Sequence, residues 1–227
     1  MEIIEEAGRE GRTTLSEFES KQVLAHYGIP VAEERLVTSR DELIEALDAI
    51  GFPVVLKGCS PEITHKTEKE LIRLDIRNSE EASAAYDQIV SGLNSGSAGV
   101  LVQEMVKGAR ELMVGLTRDP QFGPCVMFGL GGIFTEILRD VSFRLAPLER
   151  RDAMEMMSEI KGHKILEGIR GMAPVDPDLM AGILVSMGKI GLENDLVKEV
   201  DVNPLILRDG KPVAVDALIV LDPAAAH

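Results

Sequence analysis

Apolar and polar residues alternate along this chain with two periods, near 2 and near 3.6, and the switches between them mark its elements. Ser16, followed three residues later by Glu19, is a capping-box start. It predicts a helix through Tyr27, stopped by Gly28 and Pro30. The stretch "VAEERLV" alternates and predicts a strand. Ser39 and Glu42 repeat the capping box and open a helix with Leu43, Ile44, Leu47 and Ile50 on one face, ended by Gly51. Strands "PVVLK" and "LIRLDI", a helix over 80–90 and the strand "GVLVQEMV" complete an α-β-α-β-β-α-β order, that of a compact α/β lobe. Residues 1–13 are charged, interrupted by glycine and aperiodic, which predicts a loose arm or a single helical turn.

After Gly108 the texture changes. "RELMVGLTRD", "PCVMFGLGG" and "FRLAPL" read as strands joined by short turns, hence a largely antiparallel sheet. Helices follow over 149–161 and 176–191, and the chain closes with "LVKEVDVNPLIL", "RDG" and "KPVAVDALIVL", an apolar hairpin. The expected organisation is an arm over 1–13, a first lobe over 14–107, a second lobe over 108–223 and a tail over 224–227.

That hairpin yields the first candidate site. Asp209-Gly210 between apolar strands is a strong signal for a two-residue turn. Directly paired residues then have numbers summing to 419, as Asp209 and Gly210 do, and Asn203 and Asp216 share that sum. The two become a cross-strand pair with Cβ atoms ~4.5–5.5 Å apart. Asp201 projects to the same face two residues earlier. Carboxylate and amide oxygens converging on a sheet suit a hard cation such as Mg²⁺, which takes one or two protein carboxylates and leaves the rest to phosphate and water. A half-exposed, solvated sheet face is the bland alternative.

Composition narrows the partners. A formal net charge of −14 repels phosphate backbones, so broad nucleic-acid or anionic-membrane binding is not expected. A nucleotide can still be held locally, by a few lysines, backbone amides and a divalent ion. No apolar run approaches the ~18 residues of a membrane span, and the N-terminus lacks the pattern of a secretory signal. Two cysteines, Cys59 and Cys125, make no disulfide framework, and a cytoplasmic location is the expectation.

Further candidates rest on single signals. Lys57 closes a strand that reads as buried, so its ammonium either snorkels to water or meets an anion. Backbone groups near Gln103 and Glu104, where the lobes join, suit an adenine edge, and Glu111 suits ribose hydroxyls; an ordinary polar linker is the alternative. Gly129, Gly131 and Gly132 in "FGLGGIFTE" let amides approach an anion, or simply make a tight turn. Glu136 and Arg144 belong to the same cleft or to surface salt bridges. His65, in the long loop "GCSPEITHKTEKE", is either a solvated histidine or a phosphoryl acceptor; no second His or Cys at ligand spacing supports zinc.

Taken together, "VVLKGCSPEITHKTE", "VLVQEMVKGARELMVGLTRDPQFGP", "GLGGIFTEILRDVSFRLAPL" and "EVDVNPLIL…AVDALIVL" resemble the ATP-grasp subunit of ADP-forming (NDP-forming) acyl-CoA synthetases, relatives of the succinyl-CoA synthetase β subunit. The resemblance covers about residues 14–222. It implies an ATP-grasp fold, two lobes around ATP or ADP with Mg²⁺, and a reversible reaction in which acyl-CoA, phosphate and ADP give carboxylate, CoA and ATP. By the same resemblance Lys57 contacts the nucleotide phosphates, and Glu104, Met105 and Val106 form the adenine hinge. It places Glu111 on the ribose side, while Gly131, Gly132, Glu136 and Arg144 are cleft candidates on their own local signals. Asn203 and Asp216 match the metal ligands, to which the hairpin face adds Asp201, and His65 matches the phosphoryl carrier. A CoA-binding α subunit, in a hetero-oligomer, is the implied partner. The chain departs from the family pattern where Glu70 and Leu71 replace a Gly-Gly pair after the histidine, a change that favours a second reading, a non-catalytic nucleotide-sensing module.

Overall fold

The structure is a computed structural model describing residues 1–60, 71–93, 99–132, 140–168 and 171–225. The chain forms two compact units. One comprises Met1–Leu15, Glu19–Val31 and Val106–His227, the other Ser16–Phe18 and Ala32–Met105.

The N-terminal segment is not a loose arm. Residues Glu2–Arg9 form helix α1, whose Ile4 and Ala7, one turn apart, are buried in the core of the larger unit. A Cβ on Gly8 would stand 2.7 Å from Leu196 Cδ1, so the backbone of α1 approaches its neighbour closely. The apolar stripe spans barely two turns, too short for its period to be read in sequence. Helix α2 (Glu17–His26) follows, and Gly28, at φ +76, turns the chain out of it. Val23 and Leu24 of α2 also enter the larger core, while the amide of Leu15 donates to Ile219 O at 3.0 Å and Thr14 bridges Val220. Most of residues 14–31 therefore folds with the C-terminal half, not with the lobe first expected.

In the smaller unit, strands β1 (Glu34–Val37), β2 (Val54–Cys59), β3 (Ile72–Ile76) and β4 (Gly99–Glu104) form an antiparallel sheet in the order β1-β4-β2-β3. Helices α3 (Arg40–Ile50) and α4 (Ser79–Gly92) supply the rest of its core. Ser39 Oγ accepts from Glu42 N and Asn78 Oδ1 from Glu81 N, capping both helix starts. On α3 the buried stripe is Leu43, Ala46 and Leu47. Ile44, expected on that face, is 55% exposed, because it lies about 100° around the helix from Leu43. Val54 and Leu56 of β2 join this core with Val100 and Val102 of β4. Val55 and Lys57 alternate with them and so belong to the other face of the sheet.

In the larger unit, β5 (Glu111–Asp119), β6 (Gly123–Leu130), β7 (Val141–Leu145), β8 (Val197–Arg208), β9 (Lys211–Ala214) and β10 (Leu218–Leu221) make a second sheet with every strand pair antiparallel. Its order is β10-β8-β5-β6-β7, with β9 also on β8. Helices α5 (Arg150–Glu159) and α6 (Pro177–Glu193) join its core: Met156, Met180, Ile183, Leu184 and Met187 share one cluster with Val114, Val126, Phe128, Val200 and Val202. Pro177 begins α6 and Asp176 caps it, accepting from Asp178 N and Leu179 N. Among the described residues no helix is long and apolar enough to cross a membrane.

Candidate functional site

The hairpin keeps the register that its turn dictates. Asp209 and Gly210 both take left-handed backbone, φ 52 and 81, and join β8 to β9 through the pair Arg208–Lys211. Leu205 faces Ala214, and beyond β9 the same register resumes with Asp201 facing Leu218. Asn203 and Asp216 lie between these two ladders, where the Asn203–Pro204 bond is cis and Val215 N donates to Pro204 O at 3.3 Å. Asp201 and Asn203 are partly exposed and alternate with buried Val200 and Val202, so they occupy the face away from the main core. Partial burial, then the nearby charges of Asp216 and Glu199, push the Asp201 carboxyl up to about 6. Two mutually repelling carboxylates and an amide oxygen are a donor set that a hard divalent cation relieves, and Mg²⁺ fits it. No group of three or more His, Cys, Asp or Glu placed to hold a metal occurs among the described residues, so a cation here would rest on these three side chains.

A second group gathers where β5 begins. Glu111 is half-buried, and its main-chain oxygen accepts from Gly131 N at 2.9 Å. The Gly131 amide thus joins β5 to the end of β6 and is not presented to an anion. A Cβ there would press on the Leu112 carbonyl oxygen at 2.7 Å, so glycine serves the close approach of two backbones. Gly132, at φ +62, would place a Cβ 2.5 Å from Glu111 Oε2, which puts that carboxylate directly against the glycine turn.

Arg110, one residue earlier, was not singled out from the sequence and ties down a neighbouring segment of the chain. It is 5% exposed, and Nη1 donates to Ile165 O at 2.8 Å and Glu167 O at 3.0 Å, while Nη2 donates to Ala173 O. One guanidinium thus satisfies three carbonyls of the segment before α6, a task its planar fork suits. The only sequence signal was an arginine adjoining a site acid.

In the smaller unit, Lys57 does not snorkel to water but meets an anion of the chain itself. Only 6% of it is exposed, and its Nζ donates to Glu17 Oε1 at 2.7 Å. Glu17 is 4% exposed and was not singled out from the sequence. The expected hinge also uses its amides internally: Glu104 N donates to Glu33 O at 2.8 Å, and Met105 N to Pro53 O at 3.1 Å. The Glu104 carboxylate accepts from Glu33 N at 3.0 Å, and Val106 is buried.

Arg144 takes the simpler of its two accounts. It grips Glu159 with two hydrogen bonds, Nη1 to Oε2 at 3.0 Å and Nη2 to Oε1 at 2.5 Å, with Glu155 at 3.8 Å. The Arg144 guanidinium, through that bond, holds the Glu159 carboxyl below its ordinary range. His65 and Glu136 lie outside the described residues.

Comparison with known proteins completes the picture. Residues 6–221 match the family described as an ATP-grasp domain. The chain is 44% identical over 225 residues to the β subunit of ADP-forming acetate–CoA ligase I of Pyrococcus furiosus, spanning 97% of each chain. It is 44% identical to dinucleotide forming acetyl-coenzyme A synthetase 1 of Ca. Korarchaeum cryptofilum, solved with coenzyme A, Ca-AMPCP and HgCl⁺; the TM-score is 0.91 over 97% of this chain and 99% of that one. The selenomethionine form of that protein was solved with coenzyme A and Mg-AMPPCP, its phosphohistidine segment pointing towards the nucleotide binding site. It matches at 44% identity and TM-score 0.86, with 97% and 99% covered. The chain belongs to the ATP-grasp family, among the β subunits of ADP-forming acetate–CoA ligases.

Proposed function

We infer that this chain is the nucleotide-binding β subunit of an ADP-forming acyl-CoA synthetase, interconverting acyl-CoA, phosphate and ADP with carboxylate, CoA and ATP. The observation that carries this is its likeness, along 97% of both chains, to a subunit named for that reaction. A CoA-binding α subunit supplies the remaining half, and the hetero-oligomer works in the cytoplasm, where Cys59 and Cys125 stay free thiols.

On this reading Lys57 meets the nucleotide phosphates, Val106 and the hinge beside Glu104 and Met105 line the base, and Glu111 accepts from ribose hydroxyls. Asp201, Asn203 and Asp216 would hold Mg²⁺, which supplies charge neutralisation on the phosphates. In the direction of ATP synthesis, the N–P bond of phosphorylated His65 breaks as a P–O bond forms to the terminal phosphate oxygen of ADP, which returns a neutral imidazole.

The test pairs this chain with a CoA-binding α subunit. Acetyl-CoA, phosphate and ADP are expected to yield ATP, and labelled ATP is expected to leave an acid-labile phosphoryl group on His65. Nucleotide binding without that phosphohistidine would overturn the catalytic reading in favour of a nucleotide-sensing module.

A further inference from the structure

Glu17 has no part in the reaction as described, yet it is the partner of the one lysine given to the phosphates. Lys57 lies on the face of the smaller sheet away from α3 and α4, paired across β4 with Leu101 and across β3 with Ile72. Its ammonium ends a flexible four-carbon stem with many rotamers, each of which ordering must suppress. Glu17 comes from 40 residues earlier in the chain, and its Oε1 lies 2.7 Å from Nζ. It opens α2, where the positive helix end steadies a carboxylate. With 7% and 1% of their side chains exposed, the pair is closed to water, the setting in which a charge-assisted hydrogen bond fixes geometry best.

We propose that Glu17 is a positioning residue for the nucleotide phosphates: it holds the Lys57 ammonium in place before nucleotide arrives, so its ordering is completed in folding and not charged against binding. An ammonium carries three donors, so the bond to Glu17 does not bar a phosphate oxygen from the same nitrogen. The proposal rests on the reading of Lys57 as a phosphate contact.

The experiment compares binding of Mg-AMPPCP and of adenosine to the full chain, by calorimetry, for wild type, Glu17→Gln, Glu17→Asp, Lys57→Met and the Glu17→Gln, Lys57→Met double variant. Glu17→Gln is expected to weaken Mg-AMPPCP about tenfold or more and leave adenosine within about twofold. Glu17→Asp is expected to fall between Glu17→Gln and wild type, and the double variant to bind no worse than Lys57→Met alone. Adenosine binding reports a folded chain. Should Glu17→Gln not fold, Glu17→Asp decides the matter. Unchanged or tighter Mg-AMPPCP binding in a folded Glu17 variant, with Lys57→Met weakened, overturns the role of Glu17. Unchanged Mg-AMPPCP binding in folded Lys57→Met instead overturns the phosphate role of Lys57 on which it rests.

Discussion

The Lys57 ammonium and the Glu17 carboxylate meet at 2.7 Å inside the smaller unit, 6% and 4% exposed. Lys57→Met removes this charge-assisted bond from a buried site and is expected to cost about 1.5–3 kcal/mol. Replacing both with methionine keeps the volume and removes both charges. The double variant is expected to recover most of that loss, measured by urea unfolding.

Asp201 predicts a pH dependence of the opposite sign to that of a salt-bridged carboxylate. Its folded pKa, about 6, lies above the ordinary 3.8, so the folded chain holds a proton that the unfolded chain releases. Its contribution is a destabilisation, absent below the ordinary value and fully present above pH 6. Asp201→Asn is therefore expected to raise Tm by a few degrees at pH 7.5 without Mg²⁺. The gain should close as pH falls towards 4. Added MgCl₂ is expected to raise the Tm of the wild type more than that of the variant.

Arg110→Met strands three carbonyls, those of Ile165, Glu167 and Ala173. A loss of about 3 kcal/mol is expected. The Val175 amide, bonded to Leu166 O at 2.8 Å, is expected to exchange its hydrogen faster. Arg110→Lys should not restore protection, since one ammonium cannot reproduce the fork.

Leu71 is part of the core of the smaller unit, 2% exposed. A Cβ on Gly58 would lie 3.2 Å from Leu71 Cβ, and one on Gly92 3.0 Å from Leu71 Cδ2, so two glycines frame the side chain. Leu71→Gly is expected to cost about 3–5 kcal/mol through the cavity and the added backbone freedom. Chemical denaturation of the variant measures it.

What could be read in advance was what depends on neighbours in sequence. Asp209-Gly210 determines a two-residue turn, and from it the register runs back as far as Asp201 opposite Leu218. The cap at Ser39 is equally local. Glu17 and Arg110 escaped because their partners lie 40 and 55–63 residues away, and nothing in a local pattern ranks one glutamate or arginine above another. The amides of Glu104 and Gly131 read in sequence as donors open to a ligand although the backbone claims them, because a sequence does not show which donors its own strands consume.

The order of the units along the chain sets an order of events at the ribosome. Residues 32–105 can complete their sheet as soon as β4 has emerged, since its four strands are contiguous in sequence. The first helix cannot finish then: Ile4 and Ala7 pack into a core that includes Ile219 and Leu221, far downstream in the chain. Helix α1 must wait, with its apolar face uncovered, until those residues have been made. Nascent chains stalled before residue 218 are expected to protect the smaller sheet from protease while leaving α1 open to cleavage.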